Sequence, residues 1–361
     1  MARFARVLSA AQSGSFALFL ESYGAFLQQL SKESGSFDIA AHMEQLIRFD
    51  DNAFTRAAAL GGRSEGYTAL GGRSEGYTAL RNAASFDLEA LRAVVSISFK
   101  ELSKRVLSSA NEQESSLVSR MPKYIAGSSQ LFNGSQDVIS TLETFYQKNG
   151  YGVFAKFGAF RWDHALVGIP QPDPIRLTDL KSYEYERGLV AANTKDFVEG
   201  RGGGNMLLYG DRGTGKSSTI KALANEYRSN GLRIVEVTKD AIPQFPAIME
   251  RLREVPLRFI LFLDDLSFST DDAAFSALKS VLEGGVVVRP ENCRIYATSN
   301  RRHLVKETFS ERSVDLDDVH AGDTKQEKLS LYDRFDQTVN FFAPDQAQFL
   351  AIVRAIAQEK A

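Results

Sequence analysis

Cysteine is almost missing from this sequence: of 361 residues only Cys293 carries a thiol, so no disulfide can close within the chain and no Cys-rich metal site can form. A single thiol fits a reducing compartment, and Cys293 reads as a small buried hydrophobe. Long apolar runs are missing too. None approaches the roughly 18 to 20 residues that span a bilayer, which excludes an integral membrane protein built on helices. Nor is there an excess of either charge. Lys and Arg number 43 against 45 Asp and Glu, a formal charge of −2, so no global field draws the chain toward nucleic acid or anionic lipid. Hydrophobic residues at 43% and charged residues at 24% exclude disorder and fibrous classes. With 361 residues, two domains are expected, because single cores seldom grow past roughly 250 to 300 residues.

Met1 to Leu20 holds Arg3, Arg6, several serines and no acid, a composition that would also suit a mitochondrial transit peptide. The amphipathic pattern runs on past Glu21 without a cleavage-like break, so the expectation is a cytoplasmic protein. Residues 1–150 read as a helical N-terminal region of their own. Leu88, Leu91, Val95, Phe99, Leu102 and Val106 recur at three- and four-residue spacing, and Ile39, Met43, Leu46 and Ile47 form an earlier stripe. Ser108 to Ser135, rich in Ser, Asn, Gln and Gly, reads as loop. Gly61–Leu70 (GGRSEGYTAL) is repeated letter for letter as Gly71–Leu80. Two copies do not make a solenoid, and the Gly-Gly pairs read as loop.

Residues 151–178 form a Pro-containing connector with Trp162 and the cluster Pro170, Pro172 and Pro174, a domain boundary by the restriction proline places on its own and the preceding residue. Beyond it, short apolar strands alternate with amphipathic helices: Asn205–Gly210, Arg233–Val237, Arg258–Asp264, Cys293–Ser299 and Gln337–Phe342. This texture predicts a three-layer α/β fold over residues 179–343, a five-stranded parallel sheet covered on both faces. Residues 344–361 follow as the start of a helical lid that is cut short.

The strand MLLYG runs directly into Gly210-Asp211-Arg212-Gly213-Thr214-Gly215-Lys216-Ser217, which matches G-x-x-x-x-G-K-[ST] between a strand and a helix. Glycines let backbone N–H groups fold around phosphates, and the helix beginning at Lys216 turns its positive end toward them. The expected ligand is ATP with Mg²⁺, held by Gly210 to Ser217 and the following Ser218. Lys216 would reach the β and γ phosphates and the Ser217 hydroxyl the cation. About fifty residues on, a buried apolar strand ends in Asp264 and Asp265, where α/β sheets place ligands. The pair predicts one carboxylate for Mg²⁺ and one for polarising water. Read structurally, the same pair is an Asp cap after a core strand. The strand Arg294–Ser299 ends in Thr298, Ser299 and Asn300, and the Asn300 amide could hold an attacking water, or simply begin a turn. Arg334 in Leu331-Tyr-Asp-Arg-Phe sits just before the last strand, where it could meet a neighbouring subunit's γ-phosphate.

In this order the four elements resemble those of the AAA+ ATPases, over about residues 175–361. The Asp264-Asp265 pair and the Arg334, Phe335, Pro344 ending look like the replication initiator and helicase-loader branch. Strings such as LLYGDRGTGKSS, FILFLDDLSF and IYATSNRRHL are more similar still to a bacterial domain-of-unknown-function family of predicted AAA+ ATPases. The resemblance implies Walker A at Gly210–Ser217, Walker B at Asp264 and Asp265, sensor 1 at Asn300 and an arginine finger at Arg334. Lys216 would contact phosphate, Ser217 and Asp264 hold Mg²⁺, Asp265 activate water, Asn300 sense the γ-phosphate and Arg334 act in trans in a homo-oligomer. Asp179–Glu184 matches the adenine-side region, where the family more usually has Gly at the position of Ser182. Asp265 stands where Glu is usual, one methylene shorter, so hydrolysis is expected to be slow.

The leading expectation is an oligomeric ATP hydrolase that remodels or loads a macromolecular partner gripped by the N-terminal helices. A nucleotide-gated switch or scaffold with little hydrolysis is the alternative. Nucleic-acid binding rests only on the initiator-like motifs and Arg301-Arg302-His303, against a near-neutral charge. A metabolite kinase is opposed by the order of the sensor and arginine elements.

Overall fold

Capping residues as much as apolar stripes set the helices of the first half. In the computed structural model, which describes residues 2–62, 75–126, 129–133, 137–268, 273–283, 290–300 and 331–360, the chain divides into two compact units, Met1–Gln147 and Lys148–Ala361. The first is helical throughout its described secondary structure, apart from an isolated bridge between Asp38 and Ile125. The expected stripe from Leu88 to Val106 spans two helices, Glu75–Val95 and Phe99–Leu107. Ser98 caps the second, accepting from the Glu101 N–H while the Glu101 carboxylate accepts from the Ser98 N–H. Leu88, Val95, Phe99, Leu102 and Val106 are buried as the spacing predicts. In the earlier stripe Ile39 and Met43 are buried but Leu46 is 50% exposed.

Part of the Ser108–Ser135 stretch expected to be loop is helical. Glu112–Arg120 forms a helix because Asn111 and Glu114 close a capping box, a local signal that outweighs the polar composition. The first copy of the duplicated decapeptide opens in a turn, with Gly61 and Gly62 at φ 70° and 77°. The second copy, from Glu75 onward, begins a long helix, and residues 63–74 lie outside the described residues. Tyr77 of that copy donates to the buried Glu143 carboxylate at 2.5 Å, and Arg81 Nε reaches the same oxygen at 2.9 Å. No helix among the described residues is long and apolar enough to cross a membrane.

Among its described residues the second unit holds a sheet of seven strands rather than the five expected: β1 Ala159–Trp162, β2 Leu166–Gly168, β3 Met206–Gly210, β4 Leu232–Glu236, β5 Arg258–Leu263, β6 Cys293–Ser299 and β7 Gln337–Phe341. Their order is β2-β1-β4-β5-β6-β3-β7. All neighbours are parallel except the β1–β2 pair at one edge. The two additional strands come from the stretch read as connector. Its prolines all follow β2, so they end the hairpin instead of preventing it, and Phe160 and Trp162 alternate with exposed Arg161 as an edge ribbon requires.

Helices Glu184–Val198 and Lys216–Glu226 cover one face of the sheet, where Val190, Phe197, Ile220 and Leu223 join Met206, Leu208, Ile260, Phe262, Tyr296 and Phe341 in one buried cluster. Phe259, Leu261 and Leu263, which alternate to the opposite face, are buried as well, and helix Phe245–Arg253 contacts β6 while burying Phe245, Ile248, Met249 and Leu252. The parallel sheet therefore lies between two layers, and its loops at the C-terminal strand ends are left to form a site.

Arg233 on β4 is 2% exposed. Its guanidinium donates to the carbonyls of Phe154, Arg228, Leu232 and Asn149 at 2.9 to 3.2 Å. Burial pushes its pKa down to about 10, and the fork ties the segment before β1 onto β4. Arg233→Ala is expected to lower unfolding free energy by about 3 kcal/mol, because it strands buried carbonyls and leaves a cavity. Denaturant titration checks this, and a change under about 0.5 kcal/mol would contradict it.

Candidate functional site

The loop after β3 is stapled to the end of β7. Gly210 has φ 136°, and a Cβ there would stand 2.0 Å from the Phe341 carbonyl oxygen, so only glycine allows the two segments to approach. The Asp211 N–H donates to the same carbonyl at 2.9 Å, and Asp211 Oδ2 accepts from the Ala343 N–H at 2.6 Å. Thr214 Oγ1 donates back to the Asp211 carbonyl at 2.9 Å, and Gly215, at φ 88°, leads into the helix that starts at Lys216. The result is a closed loop with a helix N-terminus at its end, the arrangement that offers backbone N–H groups to an anion.

Strand β6 lies between β3 and β5, so the acids at the end of β5 meet this loop across it. Asp264 Oδ1 accepts from Ser217 Oγ at 2.5 Å and from Thr298 Oγ1 at 2.6 Å. Asp265 adopts φ 52°. Its N–H donates to Thr298 Oγ1 at 2.9 Å and its Oδ1 accepts from Asn300 Nδ2 at 2.5 Å. Lys216 Nζ donates to the Gly210 and Asp211 carbonyls at 2.9 and 2.6 Å and to Asn300 Oδ1 at 3.2 Å. Burial lowers the Lys216 pKa against the opposing pull of Asp211, Asp265 and Asp264.

These groups enclose a cavity of ≈ 290 Å³ lined by Arg212 to Ser218, Asp264, Asp265, Thr298 and Asn300. Its chemistry fits a phosphate chain and a hard cation: a lysine and a helix N-terminus for negative charge, a hydroxyl and a carboxylate oxygen converging from opposite sides for the metal. Among the described residues no group of three or more His, Cys, Asp or Glu stands ready to hold a metal. A cation here would complete its shell from substrate and water.

Of the residues singled out in the sequence, Arg212 to Ser218, Asp264, Asp265 and Asn300 come together around this cavity, with Gly210 and Asp211 forming its stapled base. Arg334 does not line it. It sits on the turn before β7 and pairs with Glu283 at 3.0 Å, both side chains partly exposed. Ser182 and Tyr183 take φ 66° and 60°, the left-handed conformation a glycine would adopt most easily. Tyr183 packs on Phe341 and donates to the Phe342 carbonyl at 2.6 Å. Arg301, Arg302 and His303 lie outside the described residues. Thr298 received no role from the sequence. Its signal is the pairing of Leu263 with Ala297, which sets Thr298 level with Asp264, and that register is visible only once β5 and β6 are known to be neighbours.

A family model described as "Protein of unknown function (DUF815)" matches residues 155–361. Among solved structures, the chain is similar to the Aeropyrum pernix Orc1 protein in complex with DNA, with 16% identity and a TM-score of 0.34 over 50% of this chain and 50% of that one. It thus spans half the length of that relative. No curated protein matches it.

The contact between Gly210 and Phe341 yields a test. Gly210→Ala places a side chain against backbone at a positive φ and is expected to cost on the order of 3 kcal/mol in unfolding free energy. A variant within about 0.5 kcal/mol of wild type would show that the loop and β7 are not locked in this way.

Proposed function

This chain belongs to the DUF815 family, whose matching stretch contains every residue of the cavity, and from that cavity we propose that it is an AAA+ ATPase which hydrolyses ATP to ADP and phosphate. The convergence of Lys216, Asp264, Asp265 and Asn300 on one phosphate-sized space is the observation that carries this reading. On binding, the β and γ phosphates take up the bonds that the Lys216 ammonium now makes to its own loop carbonyls, and the N–H groups of Gly213 to Ser218 cradle them. Ser217 and Asp264 would hold Mg²⁺, which when bound offsets charge on the phosphate oxygens. Asp265 accepts a proton from the attacking water as its oxygen bonds to the γ-phosphorus and the bond to the β–γ bridging oxygen breaks. That proton then passes to the released phosphate. Asn300, already on Asp265 and near Lys216, orients the base and the γ-phosphate together.

Arg334 is assigned to a neighbouring subunit's γ-phosphate in a homo-oligomer. Giving up its exposed pairing with Glu283 costs little, since such pairs are worth about 0 to 1 kcal/mol. The work of the cycle would be remodelling or loading of a macromolecular partner held by the helical unit. A nucleotide-gated switch is the second reading, favoured by the 2.5 Å bond that engages Asp265 and by its short side chain.

Asp265→Asn tests the hydrolytic reading. It is expected to bind ATP within about threefold of wild type and to lose about 10²- to 10³-fold in turnover, the contribution of a general base. Turnover at the wild-type rate would remove Asp265 from the chemistry, and negligible turnover in both proteins would leave the switch.

A further inference from the structure

The turn that carries both acids hangs from the end of β6 by bonds made to three consecutive residues. The Asp265 N–H donates to Thr298 Oγ1 at 2.9 Å and the Leu266 N–H to the Thr298 carbonyl at 2.7 Å. Ser299 Oγ donates to the Leu266 carbonyl at 2.9 Å, and Asn300 Nδ2 to the Asp265 carboxylate at 2.5 Å. In this set Thr298 stands apart, because its one hydroxyl serves both acids: it accepts from the Asp265 N–H and donates its proton to Asp264 Oδ1 at 2.6 Å.

We propose that Thr298 is a positioning residue for this site, whose single hydroxyl fixes the relative placement of the Asp264 and Asp265 carboxylates. Asp265 is a non-glycine residue at φ 52°, a conformation that persists only where surrounding bonds hold it. Thr298 is 1% exposed, so its hydroxyl is held between the two acids with little access to bulk water. A β-branched side chain on a central strand also has few rotamers open to it, which holds the oxygen on the line between the two acids. Without that oxygen the Asp265 N–H is stranded, Asp264 loses one of its two hydroxyl donors among the described residues, and the turn can relax toward negative φ with the base carried off its aim.

The rate effect rests on the hydrolytic reading above; the placement itself does not. Thr298→Val keeps the shape and removes the hydroxyl. Its kcat is expected to fall by about 100-fold, the effect of a misplacement of about 1 Å, with the ATP dissociation constant within about threefold of wild type. Thr298→Ser restores the hydroxyl and should recover most of the rate. A valine variant at wild-type kcat, or a serine variant as slow as valine, would overturn the proposal, the latter by making the β-branch rather than the oxygen the working part. If wild-type protein releases no more phosphate than Lys216→Ala, hydrolysis itself fails and amide hydrogen exchange at Asp265 decides on Thr298. Exchange should quicken about tenfold in Thr298→Val, the equivalent of one net hydrogen bond, and return in Thr298→Ser. Unchanged exchange in the valine variant would refute the placement role.

Discussion

Strand β6 stands between β3 and β5, and the site depends on that insertion. Neighbouring strands lie about 4.8 Å apart, so the ends of β3 and β5 are separated by roughly 10 Å. Side chains from the end of β6 and from the helix after the loop bridge the gap. Asn300 links Lys216 of the loop to Asp265 of the acidic turn, and Asp264 receives one hydroxyl from the helix after the loop and another from β6. Had the two strands been adjacent, the lysine and the acids could pair directly and quench one another. With β6 interposed, they face a common space in which a phosphate chain can sit between them.

The cavity also holds two groups in unfavourable states. Lys216 is buried, which lowers its pKa, and its ammonium is bonded to carbonyls of its own loop rather than to a carboxylate. Asp265 is held in a left-handed conformation. Groups kept in such states by a rigid surround are a common feature of sites whose partner carries the complementary charge. The rigid surround here is the sandwich itself: Gly210 against Phe341 fixes the loop to β7, and Arg233 fastens the segment before β1 to β4.

Most of the candidate site was legible in the sequence because each part is contiguous with a strand end. The glycine pattern after MLLYG, the acids after FILFL and the polar end of the Cys293–Ser299 strand are local signals, and all of them meet at one cavity. Three kinds of feature were not legible. The hairpin of β1 and β2 is hidden by the prolines that follow it, which mark a boundary more strongly than the alternation of Phe160, Arg161 and Trp162 marks a strand. Helix Glu112–Arg120 was masked by polar composition although Asn111 and Glu114 announced it. The double service of the Thr298 hydroxyl and the pairing of Arg334 with Glu283 depend on which distant segments become neighbours, and no local pattern encodes that.

Phosphate release from ATP with Mg²⁺ by wild-type protein, followed across a protein concentration series with Lys216→Ala as the blank, tests the central claim most directly. Release above the blank is expected, with specific activity that climbs as concentration rises and subunits assemble. Release at the level of the blank at every concentration, in a protein that still binds ATP, would contradict it.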